Sequence, residues 1–385
     1  MKKIKTVMSL LLVVLALFVF TACKGKEEKG SKTVNDLLAR SVEVNPGEYK
    51  RAVCIGAGAL RLYTYVCGAE NLAGVEDIDN SSLTQRPKMF DSVARPYFVA
   101  FEDAFKSLPS CGVGGPQSQI AETEKIANCN PDIIISEYED VDKANKLQAD
   151  LNVPVIVVSY GPNGVFDNRA QSSIKLLGEI FGKAEKANSL VDFINSQKAE
   201  ISRRVADIDV ASQKKVYICG LGNWGTTNHL MTCQNYEPFN IAKVNNVVTD
   251  LAKNGIQAIE AEKFEALAPN MDIMILDIAA IKNIKPLYQE NPHLFDNCKA
   301  WQDGEVYLEL AYNAYYTNLE IALFNTWFIA KSIYPEQFSD IDMNAKLNEI
   351  TNAFLGQELA TKIISYALTY GKVNKETIFN WWTIT

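Results

Sequence analysis

The stretch that most limits what this chain can become runs from Lys183 to Ile208. Apolar residues recur at Ala187, Leu190, Val191, Ile194, Ile201, Val205 and Ile208. Steps of three and four place them on one face of an α-helix. Neither Pro nor Gly interrupts the run, so the spacing predicts one continuous helix about 39 Å long at ~1.5 Å per residue. Strand and helix signals alternate on both sides of it. A helix of that length between two α/β blocks reads as a rigid spacer joining two lobes.

Residues 1–22 have the layout of an export signal. Lys2, Lys3 and Lys5 precede a run from Val7 to Phe20 that is apolar apart from Ser9. The run is shorter than the ~20 residues that span a bilayer, which fits a signal h-region. Phe20-Thr21-Ala22-Cys23 follows and resembles the lipobox of bacterial lipoproteins, although Phe20 stands where that pattern usually carries Leu. The resemblance implies acylation of Cys23 and a place in the cell envelope, on the outer face of the cytoplasmic membrane or in the periplasm. Lys24 to Lys32 is charged and lacks apolar side chains, so residues 23–45 are expected to be a flexible tether. Losing the signal removes three Lys and no acid, leaving 35 basic against 46 acidic residues, or −11. That balance disfavours nucleic acid and anionic lipid surfaces as partners.

With Cys23 given to lipid, seven Cys remain, at 54, 67, 111, 129, 219, 233 and 298. No Cys-x-x-Cys occurs and an odd number cannot all pair. Most are expected to act as small buried apolar residues.

The first lobe, assigned to residues 46–182, opens with the strand Ala52-Val53-Cys54-Ile55 and a turn at Gly56-Ala57-Gly58. Arg95-Pro96-Tyr97-Phe98 is expected to begin an irregular aromatic segment. Ile133-Ile134-Ile135 and Val155-Ile156-Val157 read as buried strands separated by helices. The second lobe, residues 209–385, restarts with Lys215-Val216-Tyr217-Ile218-Cys219 and a Gly-rich loop. Apolar strands alternating with helices imply largely parallel sheets covered on both faces. The fold class is therefore α/β: two similar lobes, with residues 183–208 as the linking helix. The lobes share a signature. Glu124-Lys125-Ile126 leads to Pro131 and an apolar strand, and Glu262-Lys263-Phe264 leads to Pro269 and another. The step from Glu to Pro is seven residues in both, and each Glu opens a helix, where a carboxylate is favoured.

Taken together, the lipobox, this paired signature, the single long helix and Tyr334-Pro335-Glu336-Gln337-Phe338 resemble the substrate-binding proteins of ABC importers for iron-siderophore complexes, haem and cobalamin. The resemblance spans roughly residues 51–378. It implies no catalysis, a ligand cleft between the lobes, and handover to a membrane permease and its ATPase. It implies that Glu124 and Glu262 dock to that permease. A cleft of this kind is lined by loops at the carboxyl ends of strands. Candidates by position are Gly58 to Arg61, Arg95, Tyr97, Gly114-Gly115, Glu137-Tyr138, Tyr160, Trp224, His229, Tyr312, Asn313, Tyr315 and Tyr316. The aromatic rings would stack on a flat or bulky iron chelate or tetrapyrrole, and the Arg residues would pair with its carboxylates. An exported enzyme or metal chaperone on the same frame stays as the alternative.

Other signals point elsewhere and are set aside. Gly220-Leu221-Gly222-Asn223-Trp224-Gly225 has the letters of a dinucleotide fingerprint, but Thr226-Thr227-Asn228-His229 does not open a convincing helix. His229 and Cys233 lie four apart, yet His293 is the only other His, a poor set for a metal. Neither Gly-x-Ser-x-Gly nor His-Glu-x-x-His occurs. No cofactor and no metal are expected.

Overall fold

The chain enters its fold earlier than the composition of residues 23–45 suggests. Strands β1 (Lys32–Asn35) and β2 (Ser41–Val44) pair antiparallel, which corrects the tether assignment from Lys32 onward. Val34, Val42 and Val44 turn inward and are buried. The Asp36 carboxylate accepts the Leu38 and Arg40 N–H groups, both at 3.0 Å, and so shapes the turn of the hairpin. The computed structural model describes residues 30–89, 91, 95–116, 118, 120–162, 166–222, 227–366, 369–374 and 378–379; the export signal, Cys23 and Trp224 lie outside them.

The first lobe is built on β3 (Ala52–Ile55), β4 (Leu72–Glu76), β5 (Ser110–Gly112), β6 (Ile133–Ser136) and β7 (Val155–Val157). All pair in parallel, in the order β5-β4-β3-β6-β7. Every residue of β3, β6 and β7 is buried, as strands covered by helices on both faces require. The outer edge of β7 is closed by the hairpin turn. Val157 donates to Asp36 Oδ2 at 3.2 Å, and Leu37 and Arg40 donate to the Val157 and Val155 carbonyls. An edge that would template foreign strands is thereby covered.

In the second lobe β8 (Lys215–Cys219) begins the sheet, β9 (Met231–Cys233) leaves it, and β10 (Asn245–Asn246) returns to its edge. A short antiparallel pair joins β9 to β11 (Ile256–Ala258). The sheet continues with β12 (Ile273–Asp277), β13 (Val306–Glu309) and β14 (Gly371–Lys372), in the order β10-β8-β12-β13-β14. Only β14 runs antiparallel to its neighbour. The repeat seen in the sequence has a counterpart in the bonding. Asp132 accepts the Lys50 and Arg51 N–H groups ahead of β3, and Asp272 accepts the Lys215 N–H at the start of β8.

The linking helix spans Ala184–Arg204, four residues short of the expected end. It buries Ala187, Leu190, Val191, Ile194 and Ile201. Glu185 in its first turn and Arg203 and Arg204 in its last suit the helix dipole. Lys183 at its start pairs with Glu70 of the first lobe at 2.6 Å. Arg204 at its end pairs with Asp340 of the second at 2.6 Å. The segment expected to be irregular around Arg95 is instead a helix, Pro96–Phe105, with Pro in its first turn where the missing N–H costs nothing. The cysteines at 54, 67, 111, 129, 219, 233 and 298 are all buried thiols. Among the described residues no helix is long and apolar enough to cross a membrane.

Candidate functional site

The loop that follows β13 brings the lobes together. Asn313 bridges to Thr317, and the Asn318 N–H donates to the Tyr312 carbonyl at 2.7 Å. At the tip, Tyr315 and Tyr316 both sit in the left-handed region, with φ of 54° and 71°. Each such residue without a glycine's freedom costs about 1–2 kcal/mol, so the conformation must be held from outside.

Arg61 supplies much of that hold. It lies in the helix Ala59–Cys67 of the first lobe and is fully buried. Its guanidinium donates to the carbonyls of Ala314 at 2.7 Å, Tyr315 at 3.0 Å and Thr317 at 3.3 Å, and to the Tyr160 hydroxyl at 3.3 Å. Tyr315 reaches further into the first lobe. Its hydroxyl donates to Glu76 Oε2 at 2.5 Å and accepts the Gly115 N–H at 3.0 Å. Glycine is required along this wall. A Cβ at Gly114 would come within 2.8 Å of the Glu76 side chain, and one at Gly58 within 2.7 Å of the Tyr160 hydroxyl. Both glycines have positive φ.

Tyr316 stays at the surface, 36% exposed. Its ring stacks on Tyr160, with centroids 4.5 Å apart and planes 28° apart. Tyr138, half-buried, donates to the Ser118 carbonyl at 3.2 Å. The surroundings are acidic. Glu137, Glu139 and Asp167 all act on the Tyr316 hydroxyl, against Arg169 alone. Arg169 pairs with Glu139 at 3.3 Å. Burial, with Glu139 and Glu76 nearby, pushes the Glu137 carboxyl up to about 8. Burial likewise pushes Glu76 up to about 7, against the pull of the Gly56 N–H and the Tyr315 hydroxyl.

The residues expected to line a cleft thus divide. Tyr160 and Tyr316 stack at the seam between the lobes, Tyr316 exposed and Tyr160 buried beneath it, while Tyr138 is half-buried and bonded to Ser118 in the first lobe. Arg61 and Tyr315 are at the seam but face the protein, where they clamp one lobe to the other. Arg95 and Tyr97 are buried in the first lobe and both bond to Asp79. Their expected role as ligand contacts is corrected: desolvating Asp79 demands a cation, and Arg95 is that cation. Tyr312 is buried beneath the loop. The His229 ring is wedged edge-on between Phe264 and Phe295, where burial lowers its pKa to about 4 and keeps it neutral. Trp224 falls outside the described residues. Glu76, Asp277 and Glu309 were not among the candidates, yet each ends a buried strand at its carboxyl side. An acid closing an apolar strand is a signal that position alone offers.

Comparison with known proteins places this geometry. The profile of the periplasmic binding protein family matches residues 69–308. The molybdate-binding protein MolA of Haemophilus influenzae is 20% identical over 259 residues, covering 60% of this chain and 69% of MolA. The structure of MolA bound to molybdate has a TM-score of 0.63 at 17% identity, covering 85% of this chain and 98% of that one. A periplasmic solute-binding protein of Veillonella parvula gives 0.66 at 19% identity, with coverage of 91% and 99%. The catecholate-siderophore-binding protein VctP of Vibrio cholerae gives 0.51 at 15%, with coverage of 80% and 100%. Likeness at such identities establishes the two-lobed fold alone, whereas the family profile spans more than half of the chain. The chain therefore belongs to the periplasmic binding protein family.

Proposed function

We propose that the chain captures a metal complex of the siderophore, haem or cobalamin type at the rim of the seam and delivers it to a permease and its ATPase. The observation that carries this reading is the stacked pair Tyr160–Tyr316 with one ring exposed. A chelate with a flat or bulky organic face gains by stacking there. The acids around Tyr316 favour a neutral or cationic complex over an anionic one. They also weigh against a bare oxyanion such as the molybdate of MolA. Arg61 is committed to backbone carbonyls, Arg95 to Asp79 and Arg169 to Glu139.

Delivery would use Glu124 and Glu262. Each lies in the first turn of a short helix, Thr123–Asn128 or Ala261–Leu267, and is exposed. Neither carboxylate has a hydrogen bond or ion pair with another described residue, so both are available to basic residues of a permease. Acylation of Cys23 would leave residues 24–31 as the tether.

The test is a fluorescence titration of the purified chain with haemin, cyanocobalamin, a ferric hydroxamate, a ferric catecholate and molybdate. One of the four metal complexes should bind, and Tyr316→Ala should weaken it about tenfold. Binding of molybdate alone, or indifference to Tyr316→Ala, would defeat the reading.

A further inference from the structure

The two stacked tyrosines at the seam are held very differently. Tyr160, 3% exposed, is locked in place. Its hydroxyl donates to the Gly58 carbonyl at 3.0 Å and accepts from the Arg61 guanidinium at 3.3 Å. Its ring lies so close to Gly58 that a Cβ there would come within 2.8 Å of Cε2. Tyr316 rests on that ring and has little else. Its hydroxyl bonds to no other described residue. Its φ of 71° lies in the left-handed region that side chains disfavour. A pair serving only to cement the lobes would cover both rings and tie both hydroxyls. The neighbouring Tyr315 shows that pattern: it is 4% exposed, and its hydroxyl is bonded to Glu76 and Gly115.

The main chain that carries Tyr316 is fixed on both sides. Arg61 holds the carbonyls of Ala314, Tyr315 and Thr317, and the Ala314 N–H donates to the Tyr316 carbonyl at 3.1 Å. What is left to Tyr316 is rotation of its side chain, a fast motion for an exposed residue. One guanidinium thus holds both the Tyr160 hydroxyl and the backbone from which Tyr316 projects. The Tyr160 ring is a fixed wall and the Tyr316 ring a movable one. Their centroids are 4.5 Å apart and their planes 28° apart. Swinging Tyr316 outward until the rings stand about 7 Å apart, twice a carbon–carbon contact of ~3.5 Å, admits one layer of conjugated carbon. An aliphatic chelate, or a ring with groups on both faces, is too thick for that gap.

We propose that Tyr160 and Tyr316 take a planar conjugated ring system between them, with Tyr160 as the fixed face. The inference rests on the reading that ligand binds at this stack, and it narrows that reading. A flat tetrapyrrole fits. A ferric hydroxamate has no conjugated face to insert, and cyanocobalamin carries axial groups on both sides of its ring. Each tyrosine exchanges its contact with the other for contact with a larger face, so the pair loses nothing by opening.

The full chain is titrated with haemin, a cationic iron porphyrin, cyanocobalamin and a ferric hydroxamate, and binding is read from ligand absorbance. The cationic porphyrin is included because Glu137, Glu139 and Asp167 surround Tyr316. At least one porphyrin should bind, about tenfold or more tighter than the other two ligands. Tyr160→Leu removes the fixed face and should weaken that porphyrin about tenfold, whereas Tyr160→Phe keeps the ring, loses two hydrogen bonds and should weaken it about threefold. Crystals of the complex should show the macrocycle between the two rings. If Tyr160→Leu binds as the parent does while Tyr316→Ala is weakened, the insertion is overturned and stacking on Tyr316 alone stands. A ferric hydroxamate or cyanocobalamin held at least as tightly as the porphyrins, or a macrocycle lying outside Tyr316 in the crystals, also overturns it. Failure of every metal complex to bind defeats the reading and the inference together. If Tyr160→Leu does not fold, the ligand comparison and the crystals decide.

Discussion

Replacing Tyr315 by Phe deletes one hydroxyl from the seam, and the structure sets both the size and the pH dependence of the cost. That hydroxyl donates to Glu76 at 2.5 Å and accepts from Gly115 at 3.0 Å, in a place where Glu76 is 4% exposed. The Glu76 carboxyl stands at about 7 in the fold against an ordinary 4.5, because burial outweighs its two donors. A carboxyl raised on folding binds its proton more tightly in the native state than in the unfolded chain. Its share of stability is therefore intact below about pH 4.5 and falls as pH climbs to about 7, by about 3 kcal/mol in all. Tyr315→Phe removes one of the two donors that favour the ionised form. The carboxyl should rise further, and the fall should continue beyond pH 7. At pH 5.5 the lost bond joins neutral groups and costs about 1 kcal/mol; at pH 8.5 it is charge-assisted and costs about 2–3 kcal/mol. Denaturant unfolding of both chains at the two pH values measures the difference. In a Glu76→Gln background the cost should lose its pH dependence. An equal cost at pH 5.5 and 8.5 in the parent background would refute the assignment of Glu76 as the partner that matters.

Arg61→Met should destabilise by about 3–5 kcal/mol, since it orphans three carbonyls and leaves buried Glu320 without its nearest cation; thermal melting reads this directly, and a change below 1 kcal/mol would count against the clamp. Asp36→Ala should cost about 2 kcal/mol by freeing three backbone N–H groups at the hairpin turn, and proteolysis should then reach residues 32–44 first; unaltered protection would argue that the edge of β7 is guarded otherwise. Glu124→Lys with Glu262→Lys should abolish uptake in cells while ligand affinity and melting stay within about 0.5 kcal/mol; uptake at the parental rate would end the docking role. Scattering profiles with and without ligand should nearly superimpose, and a contraction of several Å in radius of gyration would contradict a pinned seam.

Periodicity carried the linking helix, and alternation carried the two parallel sheets. The paired Glu124 and Glu262 motifs were legible because helix start, Pro and strand recur at fixed steps. The loop from Tyr312 to Tyr316 was placed correctly between a strand and a helix. What it touches was not legible, since Arg61 lies 253 residues before Ala314 and nothing local marks them as partners. Arg61 also sits on a helix buried on every side, so no amphipathic face hints at where the guanidinium goes. The hairpin at residues 32–44 escaped because two four-residue strands in a polar stretch bury only three Val between them. The helix Pro96–Phe105 escaped because its aromatic side chains obscure any 3.6-residue period. Asp277 and Glu309 are visible as acids closing apolar strands, but their pairing depends on register, which only the fold supplies.

The linking helix is not what chiefly resists motion between the lobes. Tyr65 of the first lobe bonds Glu320 of the second and packs edge-on against Phe354 at 4.9 Å. Gln357 donates across to the Ala100 carbonyl at 2.9 Å. One continuous hydrophobic core contains Tyr63 and Val66 together with Leu319, Phe324 and Phe354. Hinging the lobes apart would break these contacts along with the Arg61 clamp, and each buried polar group left unpaired costs about 1–3 kcal/mol. Moving the rim alone is cheaper. Tyr315 and Tyr316 already carry left-handed strain, and Tyr316 is held by one aromatic stack at the surface. A ligand that replaces that stack with its own face would exchange one contact for another and leave the clamp intact. Adaptation to the ligand should therefore be confined to Tyr316 and its neighbours, on a frame that scarcely moves.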